Sequence, residues 1–304
     1  MSVTSHYELL TESVGLLDRS ERAKFVVRGS EAVDFLQGQV SNDVEGLYPG
    51  TGCYATILNH KGKLRTDLRI LRAGDFLWLD TEAVGHAVLR HMLSTYTVGR
   101  DVQWEDLTED HSILSLIGPA ADDLAPEAPP QDEHSFVDSG SGLWVRTDLG
   151  IDILCGTGRA AELRSDLGVE EVAEEAAECL RIESGRPRLG IDMDAETMPQ
   201  EAGINNRAVD FEKGCYVGQE TVARLHWKGK PNRHLRGLRL SEPVERRTDI
   251  LRGERVVGRV SSVCVSPRFG PIALALVRRE ASPGDTVRVG AAEAEVIELP
   301  FGRG

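Results

Sequence analysis

"HLRGLRL" (residues 234–240), "ERVVGRVSSVCV" (254–265), "IALALVRRE" (272–280), "DTVRVG" (285–290) and "AEAEVIELP" (292–300) follow one another with only Gly- and Pro-containing breaks between them. Each run is short, rich in aliphatic and β-branched residues, and bounded by turn formers, which is the pattern of strands. Such a succession predicts a small antiparallel barrel or sandwich at the C-terminus. Before Leu235 helical and strand signals alternate instead. The chain therefore reads as an α+β core followed by an all-β domain.

Working back from that boundary, "VEEVAEEAAECLRIESG" (169–185) predicts a helix with Val169, Val172, Ala173, Ala176 and Leu180 on one stripe and Gly185 near its end. "LWVRTDLGIDILC" (143–155) predicts two strands around a turn, and the acidic, Pro-rich "APEAPPQDEH" (125–134) a loop. "TEAVGHAVLRHMLSTYTV" (81–98) places Val84, Val88, Leu89, Met92 and Leu93 at helical spacing with Thr81 as cap. "CYATILNHKGKLRTDLRILRAGDFLWLD" (53–80) predicts three strands, the first two joined by a turn at Lys61-Gly62-Lys63. "AKFVVRGSEAVDFLQGQV" (23–40) predicts a strand, Ser30 as cap, and a short helix ending near Gly38. "HSILSLIGPAADDLAP" (111–126) repeats that order of strand, glycine and Ala-rich helix start, sharing little more than G-x-x-A.

The formal net charge of −14 speaks against a surface that grips nucleic acid, so no direct nucleic-acid partner is expected. Five widely spaced cysteines without a C-x-x-C argue against a disulfide framework and against a self-contained zinc site, so no metal site is predicted. A reducing cytosol fits such cysteine usage, and no apolar run approaches the roughly 18 residues of a membrane helix. A cytoplasmic protein without a membrane partner is the expectation. The motifs of Rossmann redox chemistry, P-loop hydrolysis, zinc proteolysis and serine hydrolysis are all missing.

Four stretches can carry chemistry. "KGCYVGQE" (213–220) sets Cys215 just before a helix that Gly218 can cap at Gln219. A helix N-terminus and the charge of Lys213 would both favour a thiolate, and Gly214 would let backbone approach a ligand. The alternative is a tight glycine loop around an inert thiol. In "CLRIESGRPRLGIDMD" (179–194) Glu183 lies among arginines; it either pairs with one of them or accepts two N–H groups from a flat heterocycle. In "LNHKGKLRTDLRI" (58–70) Asp67 is either an acid/base group or half of a surface ion pair with Arg65 or Arg69. "RLHWKGKPNRHLRGLR" (224–239) holds six Lys and Arg residues and no acid, as a docking surface for a polyanion or as a solvated linker.

With "FLQGQVSNDV", "LNHKGKLRTD", "LRIESGRPRLGID", "MPQEAGINNRAVDFEKGCYVGQETVAR" and "VGRVSSVCVSP" in this order, the sequence resembles the YgfZ-type folate-binding proteins, relatives of the glycine-cleavage T-protein, or aminomethyltransferase, family. The resemblance spans nearly the whole chain, and "KGCYVGQE" is its specific part. It implies a three-domain cloverleaf of the aminomethyltransferase/YgfZ type, with spans 1–108, 109–230 and a C-terminal antiparallel β-barrel over 231–304. It implies tetrahydrofolate, or a one-carbon-substituted form, in a central opening. Glu183 would read the pterin edge, and Cys215 would be the signature thiol. Lys213, Gly214, Tyr216, Gly218, Gln219, Glu220, Arg224 and Asn42 join them as ligand-binding candidates, and Asp67 joins Cys215 as catalytic candidate. The implied activity is support of iron-sulfur cluster assembly or repair, and through it of tRNA modification. Folate and iron-sulfur assembly or client proteins are then the partners, with the chain a monomer. A tetrahydrofolate-dependent aminomethyl or methyl transferase, and a non-catalytic folate-regulated binding module, are the competing readings. T-proteins carry a G-G-x-x-D-D-type stretch where this chain has "GKLRTD", so Thr66 and Asp67 fill two acidic places and one carboxylate is missing.

Overall fold

The computed structural model describes residues 2–302. Its elements in chain order begin with α1 (Val3–Glu12), β1 (Gly15–Asp18), β2 (Ala23–Arg28), α2 (Ala32–Gln39), β3 (Thr51–Leu58), β4 (Leu64–Arg72), β5 (Leu77–Thr81), α3 (His86–Tyr96) and β6 (Gln103–Asp106). There follow β7 (His111–Ile117), β8 (Phe136–Asp138), β9 (Leu143–Arg146), β10 (Gly150–Gly156), α4 (Thr157–Leu167), α5 (Glu174–Ser184), α6 (Asn205–Ala208) and α7 (Gln219–Lys228). The chain ends in β11 (Arg233–Leu240), β12 (Asp249–Arg252), β13 (Arg255–Ser266), β14 (Gly270–Arg278), β15 (Thr286–Val289) and β16 (Ala292–Ile297).

These strands make two five-stranded antiparallel sheets, in the orders β3-β4-β5-β2-β6 and β1-β7-β10-β9-β8, and a closed six-stranded antiparallel barrel, β11-β14-β13-β12-β15-β16. The first sheet buries Ala55, Ile57, Leu68 and Ile70 against Phe35 and Leu36 of α2 and Leu89, Met92 and Leu93 of α3. The second buries Leu114, Leu116, Ile151 and Ile153 against Ala160 and Leu163 of α4. The barrel closes on its own apolar filling, among it Leu238, Val260, Ala275, Val287 and Val296. Closure leaves it no free edge strand, as its run of short strands foretold. Gly29 after β2 and Gly118 after β7 both hold left-handed φ values, 115° and 131°. A Cβ at either would stand 2.1 Å from Asp101 O or 2.3 Å from Ser13 O. The repeated strand-glycine signal thus marks one backbone device used twice, once per sheet.

Several local expectations change. Ser30 does not cap α2; its hydroxyl donates to Asp101 at 2.6 Å, and Glu31 holds the cap position. Thr81 ends β5 and its buried hydroxyl meets that of Thr66 at 2.9 Å, while α3 starts after Gly85. The helix read from Val169 starts five residues later, at Glu174, because Glu171 and Val172 instead meet Leu16 of β1. Its acids Glu174 and Glu175 open it, Arg181 lies in its last turn, and Gly185 closes it at φ 71°.

Candidate functional site

Strand alternation sets the site. In the β3–β4 pair Tyr54 faces Arg69 and Thr56 faces Asp67, so these four share one side of the sheet. Ala55, Ile57, Leu68 and Ile70 take the other side and fill the core. Thr66 belongs to that core side, where its hydroxyl meets that of Thr81 and lies against Gly85 just ahead of α3. Of the Thr66–Asp67 pair it is therefore Asp67 that faces a cavity, one lying between the two sheets and closed by the chain that leaves α5.

Asp67 is buried, and its Oδ2 accepts a 2.6 Å hydrogen bond from the Tyr54 hydroxyl. Burial pushes its carboxyl above the ordinary range, while Tyr54 and Arg22 pull the other way. The surface ion pair with Arg65 or Arg69 does not form. Arg69 instead donates through Nε to Asp80 and through Nη1 to Asp152, each at 2.7 Å, tying the first sheet to the second. Arg22 clamps Asp80 and Glu82, and Arg188 reaches Glu82 at 3.0 Å. On the opposite wall Glu133 accepts from Arg186 at 2.6 Å and Arg207 at 2.8 Å. Burial opposes its charge, yet these arginines hold it down at about 2. The Arg207 guanidinium also covers the Tyr54 ring, 4.9 Å from its centre.

The remaining sequence candidates lie elsewhere. The side-chain amide of Asn42 donates to Tyr54 O at 2.8 Å and to Arg207 O at 2.9 Å, so it pins the backbones of two cavity residues without lining the cavity. Glu183 is neither paired with an arginine nor a free acceptor. Both its oxygens accept from Tyr7 at 3.0 Å, Ser266 adds a 2.5 Å bond, and the carboxylate joins α1, α5 and the barrel.

Lys213 does not stand as a charge for the thiol. Its ammonium donates to Gln37 O, Val40 O and Asn42 O at 2.7–2.8 Å and so closes the C-terminal end of α2. Burial there pushes its pKa down to about 8. Gly218 does precede α7, at φ 86°; a Cβ there would meet Asn59 O at 2.5 Å, so the β3–β4 turn demands glycine. A Cβ on Gly214 would meet nothing within 4 Å. Tyr216 is buried beneath this loop, Gln219 reaches back to Gly214 O at 3.4 Å, and Glu220 and Arg224 are exposed on α7. Cys215 is exposed at the loop's tip, whereas the other four free thiols are buried or half-buried. The basic run beyond it is partly neutralised: Arg233 pairs with Glu201, Arg236 with Glu298 and Arg239 with Glu295.

Sequence reading missed most of the cavity wall. Arg69 carried a usable signal, since it lies two residues from Asp67 on one strand. Glu133, His134 and Arg207 come from loops and a one-turn helix, where no periodicity points.

Among the described residues no group of three or more His, Cys, Asp or Glu side chains could hold a metal ion, and no helix is long and apolar enough to cross a membrane. Two five-stranded sheets, a closed barrel and a charged cleft holding a buried carboxylate between the sheets make up this mixed α+β protein. Residues 2–138 match the model of the GCVT N-terminal domain, and residues 233–301 that of the glycine cleavage T-protein C-terminal barrel domain. The chain belongs to the glycine-cleavage T-protein family. A chloroplastic transferase-type relative from Arabidopsis thaliana is 27% identical, over 95% of this chain and 71% of its own. The aminomethyltransferase of Rubrobacter xylanophilus is 29% identical, over 99% of this chain and 86% of its own. The crystal structure of the aminomethyltransferase T of the glycine cleavage system from Bartonella henselae superposes with a TM-score of 0.89, at 24% identity, over 99% of this chain and 89% of that one. That likeness confirms the fold.

Proposed function

We propose that this chain is a tetrahydrofolate-dependent one-carbon transferase of the aminomethyltransferase kind, with Asp67 as its acid/base group. One observation carries the reading: Asp67 is the cavity-facing member of the Thr66–Asp67 pair, buried and held by Tyr54 at 2.6 Å. Relatives named aminomethyltransferase that align over almost the whole chain support it.

The residues present fit a folate head. Asp67 offers an acceptor, the arginine-lined wall offers donors, and the cleft of ≈ 200 Å³ has room for a ring system rather than for a whole extended ligand. Tetrahydrofolate, when bound, supplies the ring nitrogen that takes up the one-carbon unit. Asp67 takes or returns the proton at that nitrogen, and its raised pKa suits both directions. Tyr54 keeps Oδ2 oriented, which leaves Oδ1 for the ligand. The ligand would sit between the first two lobes, residues 1–108 and 109–230, with the third, residues 231–304, outside the cleft, in a cytoplasmic monomer.

A second reading rests on Cys215, which is exposed at the tip of a loop fastened by Lys213 and Gln219. In it the chain is a YgfZ-type folate-binding accessory protein for iron-sulfur assembly or repair, and Cys215 is its reactive thiol. Calorimetric titration of tetrahydrofolate into wild type, Asp67→Asn and Cys215→Ala tests the first reading. Weakened binding in Asp67→Asn with unchanged binding in Cys215→Ala supports it. Equal binding to all three removes Asp67 from the site. A Cys215→Ala strain whose iron-sulfur enzymes keep full activity would end the second reading.

A further inference from the structure

Three buried polar atoms at the cavity wall have no hydrogen-bond partner among the described residues: Arg69 Nη2, Arg207 Nε and His134 Nδ1. The two arginine N–H groups can only donate, whereas Nδ1 of His134 donates or accepts according to its tautomer; two unpaired buried donors at one cavity wall point to a missing acceptor. The Arg69 side chain is only 7% exposed, with Nε and Nη1 already committed to Asp80 and Asp152. Its third nitrogen is therefore fixed in place. Arg207 is oriented with similar care: Glu133 holds Nη2, the Tyr54 ring supports the guanidinium plane, and Asn42 pins its carbonyl. His134 holds φ 72°, a left-handed backbone uncommon outside glycine. Burial, with the nearby charges of Arg69 and Arg207, pushes its pKa down to about 4. The ring is thus neutral at neutral pH and can turn one N–H toward a ligand.

We propose that this wall is a carboxylate-binding subsite, in which Arg69 Nη2–H and Arg207 Nε–H donate to the two oxygens of a small molecule's carboxylate. The site takes that carboxylate either as part of a folate or as a separate small acid bound beside Asp67. It lies on the same cavity as the proposed transfer chemistry, but it does not require that chemistry.

The test is calorimetric titration, at fixed salt, of wild type, Arg207→Met and Arg69→Lys with four probes: 5-formyltetrahydrofolate, a carboxylate-free tetrahydropterin, glycine and glutamate. Glycine or glutamate binding that weakens on the order of tenfold or more in both variants assigns the site to a separate acid. If the folate binds on the order of tenfold tighter than the carboxylate-free pterin, and the variants erase that difference, the carboxylate is the folate's own. Equal binding of folate and carboxylate-free pterin without any binding of the acids overturns the proposal. So do affinities unchanged in both variants, or silence from every probe. Should Arg69→Lys fail to fold, Arg207→Met decides alone, since its side chain is 32% exposed and outside the buried clamp.

Discussion

The Tyr54 hydroxyl donates to Asp67 Oδ2 at 2.6 Å, from one strand to its neighbour, across the face of the sheet that looks into the cavity. The bond fixes one carboxylate oxygen and stabilises the ionised form of a group that burial pushes toward protonation. Tyr54→Phe removes only that bond. The Asp67 pKa then rises further, and the acid limb of the transfer pH–rate profile moves upward. An unmoved limb would separate Asp67 from the titrating group.

Asp67 also costs stability. Its folded pKa lies above its unfolded one, so its favourable contribution exists at pH below the unfolded value and is lost as pH rises through the folded value. At neutral pH the buried charge is therefore a burden. Asp67→Asn should raise the denaturant midpoint at pH 7 while lowering transfer. A lowered midpoint would show that the charge is needed by the fold.

Glu133 behaves in the opposite sense. Held at about 2 against an ordinary value of 4.5, it contributes stability above its unfolded pKa and loses it as pH falls from 4.5 toward 2. His134, pushed down to about 4 from 6.5, adds loss between those two values, because the fold must then accept a buried charge. Wild type should thus lose stability steadily below pH 6.5, and Glu133→Gln should flatten the lower part of that curve. Parallel curves for the two proteins, from denaturant unfolding at each pH, would refute this account of the wall.

Lys213 is a structural cap. Replacing it by Met leaves three carbonyls at the end of α2 without their donor, which should cost about 1–3 kcal/mol in unfolding free energy. Thermal or denaturant unfolding reads the loss directly, and an unchanged midpoint would mean that solvent replaces the ammonium.

Tyr7 and Ser266 fasten Glu183 where α1, α5 and the barrel meet. Glu183→Ala should loosen α1, seen as faster amide exchange over Val3–Glu12 with little change in β3 and β4. Exchange that rises throughout the chain would indicate global destabilisation instead.

The barrel was legible because closed antiparallel strands leave a period-two, turn-punctuated trace that local sequence carries by itself. The strand pair bearing Asp67 was legible for the same reason, down to its glycine turn. What decided the site was not local. Whether Asp67 or Thr66 faces the cavity depends on which side of the sheet α2 and α3 cover, and that is a tertiary fact. Of the arginines of "LRIESGRPRLG", Arg181 takes Glu178 one turn back on its helix, but nothing local pointed Arg186 to Glu133 or Arg188 to Glu82, 53 and 106 residues away. Lys213 misled for a related reason. Its neighbour in sequence is Cys215, but its neighbours in space are carbonyls about 170 residues earlier, at the end of α2.

The most direct measurement is single-turnover transfer from a carbon-13-labelled aminomethyl donor to tetrahydrofolate, with wild type and Asp67→Asn. The account predicts labelled methylenetetrahydrofolate with wild type and a rate lower by on the order of 10²–10⁴ in the variant. Wild-type turnover that Asp67→Asn leaves intact, or no labelled product from wild type under conditions where folate binds, would contradict it.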